Sequence, residues 1–193
     1  MVGAKMSDME KTSRLVLTAL MICMIAVTTM FFKIPIPFAN GYVHLGDAMV
    51  FLSVLALGVK YGALASAIGS SLGDVLGGFA VWAPWTFVIK GCMALVMGLF
   101  ILSRSKKNAG PGRFSVQIMY VLGMLFAGLF MVAGYYIAEG VIYGWAVALF
   151  GIPWNIGQFS VGMTVAAATA AALGKTPAKK YFVYISSSSS KDN

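Results

Sequence analysis

Two ionisable side chains interrupt long apolar runs of this sequence and could hold a polar ligand there. Asp74 and Lys90 lie in consecutive runs, at similar depth if the runs are antiparallel helices. A charge inside a membrane-spanning helix costs about 2.5–3.5 kcal/mol on insertion scales, so each side chain needs a partner. We expect Asp74 and Lys90 to neutralise each other, either as a structural ion pair or as a pair that also contacts a ligand.

The remaining polar chemistry gathers at the same end of the chain's apolar runs. Asp47 begins the second run, Glu139 ends the fifth, and Asn155 and Gln158 begin the sixth on one helical face. His44, the single histidine, lies in the loop before the second run. Each of these residues alone could be a solvated interfacial group. Their common location predicts a polar ligand site.

Aromatic side chains show the same bias. All four tryptophans fall at this end, and so do Tyr42, Tyr135, Tyr136 and Tyr143. The pattern fits either an interfacial aromatic belt or a stacking pocket. Trp82 and Trp85, which flank Pro84, are the best candidates for stacking on a flat ligand ring.

The composition indicates an all-α integral membrane protein. Of 193 residues, 60% are hydrophobic and 10% are charged, against roughly 25% charged in soluble domains. Six apolar runs predict six transmembrane helices, at roughly 14–32, 45–59, 61–81, 84–102, 115–138 and 152–173. Five have about the 20 residues that a span requires, whereas the second is short.

The distribution of Lys and Arg predicts that both termini are cytoplasmic. With the N-terminus inside, only Lys33 and Lys90 lie on the outer side, and the other twelve of the fourteen bases lie on the inner side. We therefore divide the chain into a cytoplasmic segment 1–11, a six-helix transmembrane domain 12–173 and a cytoplasmic, disordered tail 174–193. The twelve inner bases are Lys5, Lys11, Arg14, Lys60, Arg104, Lys106, Lys107, Arg113, Lys175, Lys179, Lys180 and Lys191.

Small residues predict close helix packing. Gly69, Gly73 and Gly77 form a double GxxxG ridge on the third run. On the first run, a small-residue face packs either within the bundle or against a partner subunit. This face consists of Ala19, Cys23 and Ala26.

Motifs of hydrolytic, metal and nucleotide sites are absent from the sequence. HExxH, CxxC and GxSxG do not occur. Gly174-Lys175-Thr176 resembles the end of a phosphate-binding loop, but Thr169 stands where its first glycine is required. We expect no catalytic residue, metal site or cofactor, and any ATP must be used by partner subunits.

Several segments together resemble one family of transporters. They are 41–47 (GYVHLGD), 60–65 (KYGALA), 69–74 (GSSLGD), 82–91 (WAPWTFVIKG) and 152–158 (IPWNIGQ). This set resembles the substrate-binding S components of energy-coupling factor (ECF) vitamin transporters, over about residues 12–173.

The resemblance implies a function. An S component is a six-helix subunit in a prokaryotic plasma membrane that captures a vitamin at the outer face, with the first outer loop as a lid. It associates with a transmembrane coupling subunit and two ATPases. The family's Ala-xxx-Ala docking motif corresponds to Ala19 and Cys23. The branch most similar to this chain implies a pyridoxine-like or hydroxymethylpyrimidine-like ligand, held by Trp85 stacking and by Asp74, Lys90, Glu139, Asn155 and Gln158; riboflavin is the alternative.

Two other functions remain open from the residues alone. A solitary or ion-coupled transporter would use Asp74 and Lys90 as a relay. A membrane enzyme would use Asp47, His44 and Glu139 at the outer interface.

Overall fold

The computed structural model describes residues 8–35, 42–105 and 113–177, and this part contains six helices and one two-stranded sheet. The predicted bundle of six helices is confirmed. The predictions for residues 1–7, for the basic loop 106–112 and for the tail 178–193 lie outside the described residues. The helices and strands are α1 Asp8–Phe31, β1 Lys33–Pro35, β2 Tyr42–His44, α2 Gly46–Leu57, α3 Val59–Leu76, α4 Ala83–Ser105, α5 Arg113–Tyr143 and α6 Trp145–Leu173.

Four of these helices are long and apolar enough to cross a membrane, namely α1, α4, α5 and α6. The predicted third span, 61–81, is too long, because α3 ends at Leu76 and the chain then turns. Helix α2 has only 12 residues, or about 18 Å at 1.5 Å per residue, so it cannot span a hydrocarbon core of about 30 Å.

Helix α2 forms the centre of the bundle. It contacts α1, α3, α4 and α6, and every residue except Met49 is buried. Around it, α1, α3, α4, α5 and α6 pack in that order, each against the next. A helix that is apolar on all sides belongs in such a position. The core beside α2 is rich in aliphatic and methionine side chains, among them Ile25, Leu55, Met93, Met97 and Met124.

The glycine ridge of α3 receives α1, as the GxxxG pattern predicts. A Cβ at Gly69 would lie 2.8 Å from the carbonyl oxygen of Ile22, and one at Gly73 would lie 2.7 Å from Cβ of Thr29. The third glycine, Gly77, lies at the C-terminus of α3 and does not contact α1 in this way. The confirmed contact therefore uses two of the three glycines.

Helices α5 and α6 meet at a single residue, which corrects two predicted helix ends. Helix α5 continues to Tyr143, and α6 begins at Trp145 with Pro153 inside it. We expected a start at 152 because proline is favoured in the first turn of a helix. Gly144 has φ 93° and ψ 151°, a backbone conformation essentially confined to glycine, and this allows the chain to reverse without a loop.

A short antiparallel hairpin covers one end of the bundle between α1 and α2. In its register Lys33 pairs with His44 and Pro35 with Tyr42. The sequence analysis predicted a loop here. We call this end, which also holds the α3–α4 and α5–α6 connections, the hairpin end.

Candidate functional site

A fully buried ion pair lies at the hairpin end, and it is not the predicted one. Lys90 of α4 pairs with Asp47 in the first turn of α2, and neither side chain has solvent exposure. Lys90 also lies 2.9 Å from the sulfur of Met131 and 5.3 Å from the centre of the Tyr135 ring. The expected Asp74–Lys90 pair is therefore wrong. Side chains at similar depth on two neighbouring antiparallel helices need not face each other. Helix α2 places the carboxylate of Asp47 next to Lys90 instead.

Gln158 connects this ion pair to the hairpin. Its Nε2 donates to Oδ2 of Asp47 at 3.0 Å, and its Oε1 accepts from the backbone N–H of His44 at 2.9 Å. Its side chain is 6% exposed. Both ends of the amide are thus used within the protein, and Gln158 fixes the position of β2 relative to α2.

His44 is buried and neutral. Its Nδ1 accepts a hydrogen bond from the backbone N–H of Gly46 at 3.0 Å, so the ring proton of the neutral form lies on Nε2. Burial, and then the positive charge of Lys90, lower the pKa of His44 from 6.5 to about 3. His44 is therefore uncharged at any physiological pH.

Asp74 of α3 bonds to the hairpin instead of to Lys90. Its Oδ1 accepts a hydrogen bond from the hydroxyl of Tyr42. Burial, and then the negative charge of Asp74, raise the pKa of Tyr42 above its ordinary value of 10.0, so this hydroxyl stays protonated and donates. The Tyr42 ring packs at 4.4 Å on Phe79, and Lys33 donates at 3.0 Å to the carbonyl oxygen of Gly77 at the end of α3. These contacts hold the hairpin against the α3–α4 connection.

Glu139 lies inside α5, one turn before its end, and faces α6. Its Oε1 is 3.5 Å from Nδ2 of Asn155, and its carboxylate lies against Gly151, where a Cβ would collide with it. Gly151, Asn155 and Gln158 recur at intervals of four and three residues, so they share one face of α6. Because α6 begins at Trp145, Asn155 and Gln158 lie about three turns into the helix and not at its start.

These side chains enclose a cavity under the hairpin. The structure brings together seven predicted site residues there and adds two that the sequence analysis did not assign to the site, Thr86 and Tyr135. The volume of the cavity is about 30 Å³, close to the space of one water molecule. The lining residues are Tyr42, His44, Asp74, Trp82, Thr86, Tyr135, Glu139, Asn155 and Gln158.

Three predicted contact residues do not line the cavity. Trp85 is half-buried and packs against the apolar core, so Trp82 is the tryptophan of the site. Asp47 and Lys90 form an ion pair with each other and do not line the cavity.

The spacing of the sequence could have identified Thr86 and Tyr135. Thr86 lies four residues before Lys90 and Tyr135 lies four residues before Glu139, so each shares a helix face with a predicted site residue. Their hydroxyls are 3.1 Å apart.

The predicted partner-docking face on α1 is divided. Ala19 and Cys23 are exposed, whereas Ala26 is 6% exposed and its carbonyl oxygen lies close to Gly73 of α3. Ala26 is therefore part of the packing within the bundle, which corrects its assignment to a partner surface. Ala19 and Cys23 remain accessible between exposed apolar residues such as Leu20 and Met24.

Comparison with known proteins agrees with this architecture. The family model of the ECF-type riboflavin transporter S component matches residues 9–175. Over 120 residues the chain is 38% identical to an uncharacterized protein of Pyrococcus woesei, an alignment that covers 62% of this chain and 74% of the relative. Over 163 residues it is 28% identical to the thiamine precursor transporter HmpT of Lactococcus lactis subsp. cremoris (strain MG1363), covering 84% of this chain and 88% of HmpT.

A solved structure shows the same fold. The crystal structure of an S component for biotin from an ECF-type ABC transporter superposes with a TM-score of 0.56 at 16% identity, covering 92% of this chain and all of that chain. The family match extends over nearly all of the described helices. This chain belongs to the family of S components of ECF-type riboflavin transporters.

Proposed function

We propose that this membrane-embedded S component captures a small hydroxymethylated pyrimidine or pyridine in the cavity under the hairpin. The observation that carries the proposal is the convergence of acceptors, donors and aromatic rings from the hairpin and four helices on one cavity. Ligand pockets combine apolar walls with a few polar groups in this way. The similarity to HmpT, which is described as a thiamine precursor transporter, supports a thiamine precursor as the ligand.

Capture requires movement of the hairpin. A cavity of about 30 Å³ is far below the roughly 300–1,000 Å³ of ligand pockets. Opening must break the Tyr42–Asp74 and His44–Gln158 hydrogen bonds, because these join the hairpin to the bundle. The hairpin thus acts as the lid that the family resemblance implies.

In this proposal, uptake of the ligand requires partner subunits. The S component associates with a transmembrane coupling subunit and two ATPases in the plasma membrane of a prokaryote, with its termini in the cytoplasm. ATP is used by those partners alone. A solitary or ion-coupled carrier is the competing mechanism, and uptake that survives with ATPase-deficient partners but stops with a protonophore would favour it.

Native mass spectrometry of the purified full-length protein, followed by calorimetric titration, tests the ligand. A co-purified hydroxymethylpyrimidine or pyridoxine, or submicromolar binding of either, supports the proposal. Riboflavin is the second candidate, because the family model carries that description. Tight riboflavin binding without binding of the single-ring compounds contradicts the first choice and selects the second.

A further inference from the structure

The cavity is lined by acidic side chains without a matching base. Asp74 and Glu139 both line it, and no lysine or arginine occurs among the lining residues that the structure describes. Lys90 is the buried base of this region, but Asp47 already neutralises it. His44 contributes no positive charge, because its Nδ1 accepts a hydrogen bond from Gly46.

Each of the two carboxylates has one oxygen without a hydrogen-bond partner. These atoms are Oδ2 of Asp74 and Oε2 of Glu139, in side chains that are each 3% exposed. Leaving a buried acceptor unpaired destabilises the folded protein. Buried polar atoms in folded proteins nearly always have partners. Of the four buried atoms without a partner among the described side chains, these two belong to residues that line the cavity, so donors from an occupant of the cavity can reach them.

We infer that the ligand donates a hydrogen bond to Asp74 and another to Glu139, and that it carries no negative charge. A neutral or cationic heteroaromatic ring with an amino group and a free hydroxymethyl group meets both requirements. Its phosphate monoester does not, because the ester would bring an anion beside two carboxyl groups in a cavity whose described lining contains no base. Like charges placed together at an interface cost several kcal/mol.

This inference rests on the proposed function and adds the charge and donor pattern of the ligand to it. The test titrates the purified full-length protein with three compounds in detergent. They are an aminopyrimidine bearing a hydroxymethyl group, its phosphate monoester, and the analogue in which a carbonyl oxygen replaces the ring amine. We expect the ester to bind at least about 100-fold more weakly than the alcohol and the carbonyl analogue at least about tenfold more weakly. Binding of the ester within about threefold of the alcohol, a difference below 1 kcal/mol, overturns the inference and leaves the proposed function intact.

A measurement without ligand tests the same carboxylates. Asp74→Asn and Glu139→Gln retain an acceptor for Tyr42 and Asn155 but remove the unpaired carboxyl oxygen. Each should raise the melting temperature of the ligand-free protein by about 2–4 °C, and each should weaken binding of the aminopyrimidine. Ser71→Ala is the control, because its hydroxyl bonds only within α3, to the carbonyl oxygens of Ala67 and Ile68.

The outcomes separate the two proposals. If none of the vitamins binds but both carboxylate variants stabilise the protein, the proposed substrates are wrong. The inference that the ligand donates hydrogen bonds to Asp74 and Glu139 is then supported. If both variants lower the melting temperature, the carboxylates hold the fold together and the inference is overturned, whether or not a vitamin binds.

Discussion

Nε2 of Gln158 donates a hydrogen bond to Oδ2 of Asp47 across 3.0 Å, and this joins the middle of α6 to the first turn of α2. The same amide accepts from the backbone of His44. Replacing Gln158 by Leu removes both bonds and leaves Oδ2 of Asp47 without this donor. We expect the free energy of unfolding to fall by about 1.5–3 kcal/mol, the range for a hydrogen bond to a charged group.

Chemical unfolding in detergent and hydrogen exchange at the His44 amide measure this effect. Thr164→Ala is the matched control on the same helix, because its exposed hydroxyl bonds only to the carbonyl oxygen of Ser160. That substitution should stay within about 0.5 kcal/mol. Unchanged exchange at His44 in Gln158→Leu would show that the hairpin is held by other contacts.

Gly151 leaves room for the carboxylate of Glu139. A methyl group at position 151 would overlap Oε2 of Glu139, so Gly151→Ala must push the carboxylate away from its place in the cavity. We expect ligand affinity to fall by at least about tenfold, or 1.4 kcal/mol. Isothermal titration of the aminopyrimidine measures the loss.

Gly157 of α6 provides the control for that substitution. A Cβ at Gly157 meets no atom within 4 Å. Gly157→Ala should leave affinity unchanged and stabilise the helix by about 0.4–1 kcal/mol. Equal affinities of the two alanine variants would mean that the position of Glu139 does not matter for binding.

The ion pair of Lys90 and Asp47 should show strong coupling. Lys90→Met leaves a buried carboxylate uncompensated, which costs about 3–5 kcal/mol, whereas Lys90→Met combined with Asp47→Asn removes both charges and should recover much of that loss. Unfolding of the two single variants and the double variant gives the coupling free energy. If the free-energy changes of the two single variants simply add up in the double variant, the pairing of Lys90 with Asp47 is contradicted.

The sequence predicted the bundle well because apolar length and charge are local properties of a helix in lipid. The collection of polar residues at one end was also visible, and seven of the predicted contact residues line the cavity. The pairing of Lys90 was not predictable, because it depends on how α2 is inserted between α4 and α6. The start of α6 was misplaced, because Pro153 looks like a helix start unless the backbone of Gly144 is known.

His44 should make the free energy of unfolding depend on pH. Its pKa in the folded protein is about 3, below the ordinary 6.5, because it is buried near Lys90; Asp47 opposes the shift only in part. The unfolded chain therefore takes up this proton first. The contribution of His44 to the free energy of unfolding is fully present above about pH 6.5. Below that pH the free energy of unfolding should fall by up to about 1.4 kcal/mol per pH unit, until about pH 3.

Unfolding of the wild type and of His44→Gln between pH 7 and pH 4.5 isolates this contribution, because every carboxyl group is common to both. The variant should show the smaller loss of stability on acidification. Parallel curves would mean that His44 takes up its proton in the folded protein as readily as in the unfolded chain.

Ala19 on the exposed side of α1 should affect uptake without affecting capture. It lies far along α1 from the hairpin and is accessible, as is Cys23 one turn later. Ala19→Trp should leave ligand affinity within about twofold but reduce uptake in cells containing the coupling subunit and ATPases by at least about tenfold, since a small-residue face allows close helix contact that an indole prevents. Val121→Trp, on the exposed surface of α5, is the control for added bulk. Equal uptake by both tryptophan variants would exclude this part of α1 from the partner interface, whereas loss of uptake in Ala19→Trp alone would locate the interface on α1 and separate capture from energised transport.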